Sequence, residues 1–280
     1  MAHIVSTIAE LRSAIAALKH TSVGRARIGM VPTMGALHDG HVSLVTEAKA
    51  HCDHVVVSIF VNPAQFAPHE DFDAYPRTLD ADLARLGDAA AIVFAPNARE
   101  MYPEGFATGI TVGGPSAGLE TDFRPHFFTG VATVVAKLLI AALPDIAVFG
   151  EKDYQQLQVV TRLVRDLALP TRIIGAPTLR EADGLAMSSR NAYLSADERK
   201  VAATLNVILK NAILQARRGD LRAAEMAAES ALTTAGFDSV DYVAIRDAES
   251  LSVIAALERP ARILAAAKIG KTRLIDNMAV

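Results

Sequence analysis

The sequence contains one cysteine, no tryptophan and few aromatic residues, which make up 5% of its 280 residues. Its single cysteine, Cys52, excludes an intrachain disulfide and favours a reducing compartment, so we expect a cytoplasmic protein. With so few aromatic side chains, packing must come mainly from alanine-rich helices and from strands of valine and isoleucine. A chain of this length can bury a substantial core in one large domain or two smaller ones.

A large excess of charge of either sign is also absent. The chain has 28 basic against 31 acidic residues and a formal net charge of −3. That balance gives no electrostatic reason to expect nucleic acid or an anionic membrane as a partner. The longest apolar run, residues 131–143, contains Lys137 and is shorter than the about 20 residues that span a bilayer. We therefore expect neither a membrane span nor membrane association.

Short β-branched runs alternate with helical stretches along the first two thirds of the chain. Strands are predicted at 27–33, 54–61, 90–96, 145–150 and 171–177, with helices at 41–51, 130–143 and 154–169. Residues 1–20 show no signal-peptide pattern and favour an amphipathic helix whose shared face is formed by Ile8, Leu11, Ile15 and Leu18. This alternation is typical of βαβ units in a mostly parallel α/β sheet, which binds ligands at the carboxyl ends of its strands.

The pattern changes after about residue 178. A polar loop leads into alanine-rich helices predicted at 196–215 and 221–234, followed by strands within 241–248 and 261–277. These elements indicate a small α+β unit. The sequence therefore predicts two domains, residues 1–177 and residues 178–280.

The stretch "VPTMGALHDGH", residues 31–41, links the first buried strand of this sheet to the next helix. Gly35 and Gly40 allow the backbone to pass close to a bulky ligand, and Asp39 is expected to cap the helix. His38 and His41 would then lie in the first helical turn. Because a helix N-terminus favours phosphate, this segment, residues 34–41, which we name the histidine loop, is a candidate phosphate site.

Several interpretations of the histidine loop stay open. It lacks the Gly-Lys-Ser/Thr ending of a Walker loop and the spacing of a dinucleotide fingerprint. Zinc binding with His51 and His54 is one alternative, although no cysteine pair completes a site, and purely structural histidines are another. The His-x-x-His spacing is similar to the HIGH motif of class I aminoacyl-tRNA synthetases and related nucleotidylyltransferases. That likeness implies attack of an oxygen nucleophile on the α-phosphate of ATP.

Three further polar segments follow predicted elements. "SIFVNPAQF" places the amides of Asn62 and Gln65 after a strand, "FGEKDYQQL" offers Lys152 for phosphate and Asp153 as a helix cap, and "READGLAMSSRN" combines two serines with Arg190. Each also has a competing interpretation: a plain Asn-Pro turn for the first, a solvated charged face for the second, and a serine nucleophile for the third. The last lacks the Gly-x-Ser-x-Gly spacing.

Six segments occur along the chain in this order: "PTMGALHDGH", "SIFVNPAQF", "YPRT", "FGEKDYQQL", "READGLAMSSRN" and "TRLIDN". Together they resemble the pantothenate synthetase family over essentially the whole chain. The resemblance implies a Rossmann-like α/β domain with a HIGH-like motif and a smaller C-terminal α+β lid domain, as a homodimer. It also implies condensation of pantoate with β-alanine to pantothenate, in coenzyme A biosynthesis. ATP would be cleaved to AMP and pyrophosphate through a pantoyl adenylate, with Mg²⁺ accompanying ATP and no organic prosthetic group.

The same resemblance implies roles for individual residues. His41 would be the proton donor, and His38, Lys152 and Arg190 would complete the catalytic set. Gln65, Gln156 and Asn62 would hold the pantoate and β-alanine substrates. The remaining implied contacts are to ATP, and with those already named the full set is Met34, Gly35, Ala36, Leu37, His38, Asp39, Gly40, His41, Gly150, Glu151, Lys152, Asp153, Leu179, Met187, Ser188, Ser189 and Arg190.

Other hypotheses stay open beside this one. Asp80 and Asp82 follow "YPRT", but we name neither as a magnesium ligand, and the protein ligands of the metal stay unknown. A nucleotidyltransferase that leaves AMP on its final product would share the histidine loop. A nucleotide-binding protein without turnover is the non-enzymatic alternative. The "TRLIDN" segment is expected to have only a structural role.

Overall fold

The computed structural model describes residues 2–21, 26–66, 72–73 and 75–280. Its helices and strands, in chain order, are β1 (His3–Val5), α1 (Ile8–Thr21), β2 (Ile28–Thr33), α2 (Asp39–Lys49), β3 (His54–Ile59), α3 (Leu79–Leu86), β4 (Ile92–Phe94), α4 (Ala98–Met101), α5 (Glu120–Phe123), α6 (Phe127–Ala142), β5 (Ile146–Gly150), α7 (Tyr154–Asp166), β6 (Arg172–Ala176), α8 (Ala196–Ala202), α9 (Thr204–Ala216), α10 (Leu221–Ala235), β7 (Ser239–Asp247), β8 (Ala261–Ile269) and β9 (Thr272–Ala279). Short 3₁₀ turns lie at Pro63–Gln65, Glu151–Asp153 and Ser189–Tyr193.

The chain divides into two compact units. The first comprises Met1–Val112, Arg124–Glu151 and Val159–Pro177, and the second comprises Gly113–Phe123, Lys152–Gln158 and Thr178–Val280. A compact unit is not by itself a part that folds alone, so the domains 1–177 and 178–280 stay a prediction.

The first unit contains a six-stranded sheet in the order β1-β4-β3-β2-β5-β6, and every strand pair is parallel. Central strands of such sheets are buried on both faces, which explains the continuous apolar run of β2, where Ile28, Met30 and Val31 are fully buried. The chain proceeds from β2 through β3 to β4 on one side and continues with β5 on the other side of β2. The sheet therefore has its topological switch point between β2 and β5, where ligands bind in open α/β sheets.

Helix α6 corresponds to the longest apolar run of the sequence. Most of its residues are buried, as expected for a core helix, whereas Ile140 is exposed and Thr129 and Lys137, on the same face, are half-buried. Lys137, the one charge within that run, places its ammonium group over the ring of Phe106, 4.6 Å from the centroid. Among the described residues, no helix combines the length and the apolarity that crossing a membrane requires.

The second unit contains an antiparallel sheet in the order β7-β8-β9. The alanine-rich strand β8 lies in the middle, and its core includes Leu209 from α9, Leu232 from α10 and Ile263 from β8. Because alanine side chains are short, α9 and α10 can supply the bulk that this sheet lacks. The predicted fold class, a parallel α/β sheet with a smaller α+β part, is confirmed.

Two local predictions were wrong. Residues 1–20 are not one helix, because His3–Val5 forms the edge strand β1 before α1 begins at Ile8. A three-residue strand is too short to show a periodicity, whereas the helical spacing after it is clear. The helix predicted at 196–215 is two helices, α8 and α9, which meet at Ala203.

Candidate active site

The histidine loop leaves the carboxyl end of β2 through a tight backbone turn. Gly35 has φ = +84° and Ala36 has φ = +49°, so two successive residues occupy the left-handed region. Glycine adopts that region without strain, whereas alanine does not. Thr33 anchors the start of the loop, since its hydroxyl donates to the carbonyl of Ser58 at 2.7 Å and accepts from the amide of Gly35 at 3.2 Å.

Asp82, on helix α3, holds the middle of this loop. Its side chain is buried, and its two carboxylate oxygens accept hydrogen bonds from the amides of Ala36 at 3.0 Å and Leu37 at 2.8 Å. The hydroxyl of Thr78 donates to the same carboxylate at 3.3 Å. These charge-assisted bonds offset the strain of the turn, and they occupy two amides that would otherwise be available to a ligand.

The two histidines themselves cap helix α2. His38 is the N-cap, and its Nδ1 accepts from the amide of Gly40 at 3.1 Å. His41 Nδ1 accepts from the amide of His38 at 3.2 Å, and the rings lie 4.1 Å apart between centroids. The prediction that Asp39 is the cap was wrong, because Asp39 is the first helical residue and pairs with Arg85 at 2.6 Å.

This capping arrangement has a chemical consequence. A ring nitrogen that accepts a hydrogen bond carries no proton, so each neutral imidazole must carry its proton on Nε2. Both rings therefore have an Nε2–H donor at the positive end of the α2 dipole, which suits phosphate oxygens.

The amides predicted after β3 occupy different environments. Asn62 is buried and has all its hydrogen-bonding groups engaged by the protein: Tyr102, Ala64, Gln65 and Gly130 are its partners. Gln65 is half-buried, and its Oε1 accepts from Asn62 Nδ2 at 3.0 Å. Asn62 therefore holds Gln65, which is the more accessible of the two amides.

Strand β5 ends at Gly150, next to β2 at the switch point of the sheet, and Glu151 begins the 3₁₀ turn that follows. The first unit thus brings together at the carboxyl edge of its sheet the histidine loop and the end of β5. Gln65 follows β3, the neighbouring strand on the other side of β2.

In the second unit, Lys152 and Asp153 complete that 3₁₀ turn, and Lys152 is half-buried. Its backbone carbonyl accepts from Asn277 Nδ2 at 2.8 Å, while Asn277 Oδ1 accepts from Arg262 Nε at 2.6 Å. Asn277 belongs to the "TRLIDN" segment. A segment expected to be only structural therefore fixes the backbone of a candidate catalytic lysine.

Two glutamines of helix α7, Gln155 and Gln156, differ in burial. Gln155 is buried, and its amide bonds the backbone of Pro115, Gly118 and Glu120. Gln156 is half-buried and remains the better candidate for a substrate contact.

The segment 179–191, which we name the serine loop, folds back on itself. The amide of Met187 donates to the carbonyl of Leu179 at 3.0 Å, so these two predicted contacts lie together. Arg180 donates to both oxygens of the buried Asp276 carboxylate at 2.7 and 2.8 Å. Such a bidentate pair fixes the base of the loop against strand β9.

At the far end of the serine loop, the hydroxyl of Ser188 accepts from the amide of Arg190 at 3.3 Å and caps the turn Ser189–Tyr193. Asn191 Nδ2 donates to Glu181 Oε1 at 2.8 Å. Bonds within the loop therefore hold this end of it, and in the sequence no histidine lies near its serines and neither serine lies in a Gly-x-Ser-x-Gly pattern.

Zinc is not favoured by the observed positions. His51 lies beyond the end of α2 and pairs with Glu47, and His54 begins β3, whereas His38 and His41 lie at the start of α2. No group of three or more histidine, cysteine or acidic side chains that could hold a metal is found within the part of the chain that the structure describes.

Comparisons with known proteins agree along the entire chain. The family profile described as Pantoate-beta-alanine ligase matches residues 3–279. A pantothenate synthetase of Caulobacter vibrioides is 56% identical over 282 residues, which cover 99% of this chain and 98% of the relative. A pantothenate synthetase structure from Thermus thermophilus superposes with a TM-score of 0.90 at 46% identity, covering 99% of this chain and 98% of the other.

A third relative adds a ligand complex. The pantoate-beta-alanine ligase of Francisella tularensis, described as complexed with beta-gamma ATP and beta-alanine, superposes with a TM-score of 0.82 at 34% identity. That match covers 99% of this chain and 97% of the other. With a profile and close relatives that span its length, the chain belongs to the pantoate-beta-alanine ligase family.

Proposed function

We propose that this protein condenses pantoate with β-alanine to form pantothenate, with cleavage of ATP to AMP and pyrophosphate. The observation that carries the proposal is the histidine-capped start of α2 at the switch point of the sheet, where two Nε2–H donors meet the helix dipole. The ATP and β-alanine named for the Francisella relative support the choice of substrates.

The reaction has two steps. A carboxylate oxygen of pantoate attacks the α-phosphorus of ATP, the bond from that phosphorus to the bridging oxygen breaks, and pyrophosphate leaves. The amine of β-alanine then attacks the acyl carbon of pantoyl adenylate, the C–O bond to AMP breaks, and the amine loses a proton. No covalent enzyme intermediate is needed, because the adenylate is itself the activated acyl group.

In the first step, negative charge develops on the α-phosphate and on the leaving pyrophosphate. We assign its stabilisation to the Nε2–H groups of His38 and His41, with His41 as proton donor, and to Lys152 and Arg190. Preorganised donors and cations of this kind contribute about 3–4 kcal/mol each to transition-state stabilisation. We also assign ATP contacts to the remainder of the histidine loop and to Gly150, Glu151 and Asp153. The further ATP contacts are assigned to the serine-loop residues Leu179, Met187, Ser188 and Ser189.

The acid substrate is assigned to Gln65 and Gln156. Gln65 is also assigned to β-alanine, and Asn62 holds the Gln65 side chain through the hydrogen bond from its Nδ2. Their contribution would be to hold the carboxylate in line with the α-phosphorus, which lowers the barrier chiefly through orientation.

Magnesium is best treated as part of the substrate, Mg·ATP. Asp82 is the one buried acid near the histidine loop among the described residues, and both its oxygens are engaged by Ala36, Leu37 and Thr78. Asp80, two residues earlier, is exposed. This donor set fits a metal that is held by phosphate oxygens and water, as is common for Mg²⁺.

We also propose, from the family resemblance alone, a cytoplasmic homodimer with no organic prosthetic group. Nucleic acid and membranes are not among its proposed partners. Sedimentation velocity measures the oligomeric state directly, and a monomer at micromolar concentration would contradict the dimer.

The test of the function is a product analysis. The purified protein is incubated with ATP, Mg²⁺, pantoate and β-alanine, and phosphorus NMR and mass spectrometry follow the products. We expect AMP, pyrophosphate and pantothenate in equal amounts, with omission of either acid or amine stopping pantothenate formation. A stable adenylylated end product would indicate a nucleotidyltransferase instead, and ATP binding without turnover would indicate a protein that only binds nucleotide.

A further inference from the structure

Asn62 lies at the centre of a hydrogen-bonded group in the first unit. Its side chain is 1% exposed. Its Oδ1 accepts from the hydroxyl of Tyr102 at 2.7 Å and from the amide of Ala64 at 3.3 Å. Its Nδ2 donates to the carbonyl of Gly130 at 3.1 Å and to Oε1 of Gln65 at 3.0 Å.

The chemistry of these partners fixes which way the Asn62 amide faces. A backbone N–H can only donate and a backbone carbonyl can only accept, so Ala64 must meet Oδ1 and Gly130 must meet Nδ2. The contact with Gly130 requires helix α6 to approach closely, and a Cβ on Gly130 would overlap the carbonyl oxygen of Ala64. Asn62 therefore offers Gln65 a donor and never an acceptor.

The orientation of the Asn62 amide also determines the orientation of the Gln65 amide. Since Oε1 of Gln65 accepts from Asn62, its Nε2 carries both remaining N–H donors. Within the residues that the structure describes, Nε2 has no protein partner. The backbone of Gln65 is held as well, because Arg124 Nη2 donates to its carbonyl at 3.0 Å.

Tyr102 completes the group at Oδ1 of Asn62, whereas Gln65 is bonded to Nδ2. Its ring packs against Phe60 and Phe106, with centroids 6.2 and 5.2 Å away. Burial raises the pKa of Tyr102 to about 12, so its hydroxyl keeps its proton and remains a donor throughout the neutral range.

We propose that Tyr102 is a positioning residue that, through Asn62, fixes the amide of Gln65 with its N–H donors turned toward the acid substrate. The site then selects an acid that offers an acceptor oxygen at that point, as the carboxylate and hydroxyl oxygens of pantoate do. In this respect the inference rests on the proposed function, because that function assigns Gln65 to pantoate.

The test compares apparent KM values for pantoate and for ATP in pantoate-dependent exchange of labelled pyrophosphate into ATP. Tyr102→Phe keeps the ring and removes only the hydroxyl. We expect it to raise the KM for pantoate about tenfold and to leave the KM for ATP unchanged, as for one lost hydrogen bond in a coupled group. A role in folding alone would not separate the two constants.

Asn62→Asp provides a second and stronger test. The carboxylate still accepts from Tyr102 and Ala64, but it turns an acceptor toward the Gly130 carbonyl, which lowers stability, and toward Gln65, whose amide must rotate to donate to it. Gln65 would then present Oε1 to the substrate, and we expect the KM for pantoate to rise about a hundredfold, as when buried polar groups are mispaired. If Tyr102→Phe does not fold, this variant decides the question.

Tyr242→Phe is the matched control. It also removes a phenolic hydroxyl whose pKa is raised by burial, but it lies in the second unit, on β7. We expect a lower melting temperature and an unchanged KM for pantoate.

The possible outcomes distinguish failure of the role of Tyr102 from failure of the proposed function. Exchange by the wild-type protein, with the KM for pantoate unchanged in Tyr102→Phe, overturns the role of Tyr102 and leaves the function standing. An equal rise in both KM values also overturns it. Absence of exchange in the wild-type protein overturns the proposed function and the role of Tyr102 with it.

Discussion

The histidine loop of the first unit and the serine loop of the second are each held by a buried aspartate, but the partners differ. Asp82 accepts from the uncharged backbone amides of Ala36 and Leu37. Asp276 instead forms a two-point ion pair with the guanidinium of Arg180. The first arrangement fixes backbone dihedrals in a strained turn, whereas the second fixes the position of a whole loop through one side chain. Loss of the aspartate should therefore affect chemistry in the first loop and loop order in the second.

The largest effects on activity are expected from side chains assigned to the chemistry itself, not from the two aspartates. His41→Ala and Lys152→Ala should each lower the rate of adenylate formation by at least about 10²-fold, since each removes a group that offsets developing charge. Lys49→Ala, an exposed lysine at the other end of α2, is the control and should keep the wild-type rate. Single-turnover formation of the adenylate measures both, and near-normal rates in both variants would refute the assigned roles.

The next effect should be that of Asp82→Asn. The amide can accept from only one of the two backbone donors, and its NH₂ group would face the other. We expect a stability loss of about 1–3 kcal/mol, the cost of an unsatisfied buried polar group. Adenylate formation should fall about tenfold as the turn at Gly35 and Ala36 loosens.

Asp80→Asn tests whether this loss is specific. It makes the same chemical change two residues earlier on α3, at an exposed position. Denaturant unfolding and single-turnover kinetics should show no change in this variant. Equal losses in the two variants would mean that net charge on α3, and not the bond to the loop, is responsible.

A smaller effect on activity is expected from Asp276→Asn. The pair is buried on the aspartate side only, since Arg180 retains 24% side-chain exposure, so we expect a stability loss of about 2 kcal/mol, below that of a fully buried pair. Hydrogen exchange should speed up in the serine loop and stay unchanged in the histidine loop. Faster exchange in both loops would show that Asp276 does not act on the serine loop alone.

The smallest effect should come from Arg85→Ala. Arg85 pairs with Asp39 beside the histidine loop, but the two side chains are 45% and 66% exposed. Exposed pairs contribute about 0–1 kcal/mol, so the melting temperature and the adenylation rate should stay near wild type. A loss as large as that of Asp276→Asn would show that exposure does not separate the two ion pairs.

The sequence predicted five of the six strands of the first unit's sheet, all but the three-residue edge strand β1, because the longer strands and the helices have strong and different periodicities. It also located both loops, since glycines and charged residues follow apolar strands there. It did not identify what holds them. Asp82 had a usable signal, because it shares the helical spacing of Leu79, Leu83 and Leu86, and an acid on an apolar stripe needs a buried partner.

Other features depend on contacts between residues distant in the chain. Asn277 reaches the carbonyl of Lys152 across 125 positions, and Tyr102 reaches Asn62 across 40. No local pattern encodes such pairs. The prediction of the α2 cap was wrong for a different reason. Asp is the commoner cap, and only the structure shows that the ring of His38 takes this role.

The first chemical step is measured by pantoate-dependent exchange of labelled pyrophosphate into ATP, with Mg²⁺ and without β-alanine. A reversible pantoyl adenylate predicts exchange in the wild-type protein, and its loss in His41→Ala would locate the chemistry at the histidine loop. Folded protein that binds ATP but shows no exchange with pantoate would contradict the proposed first step.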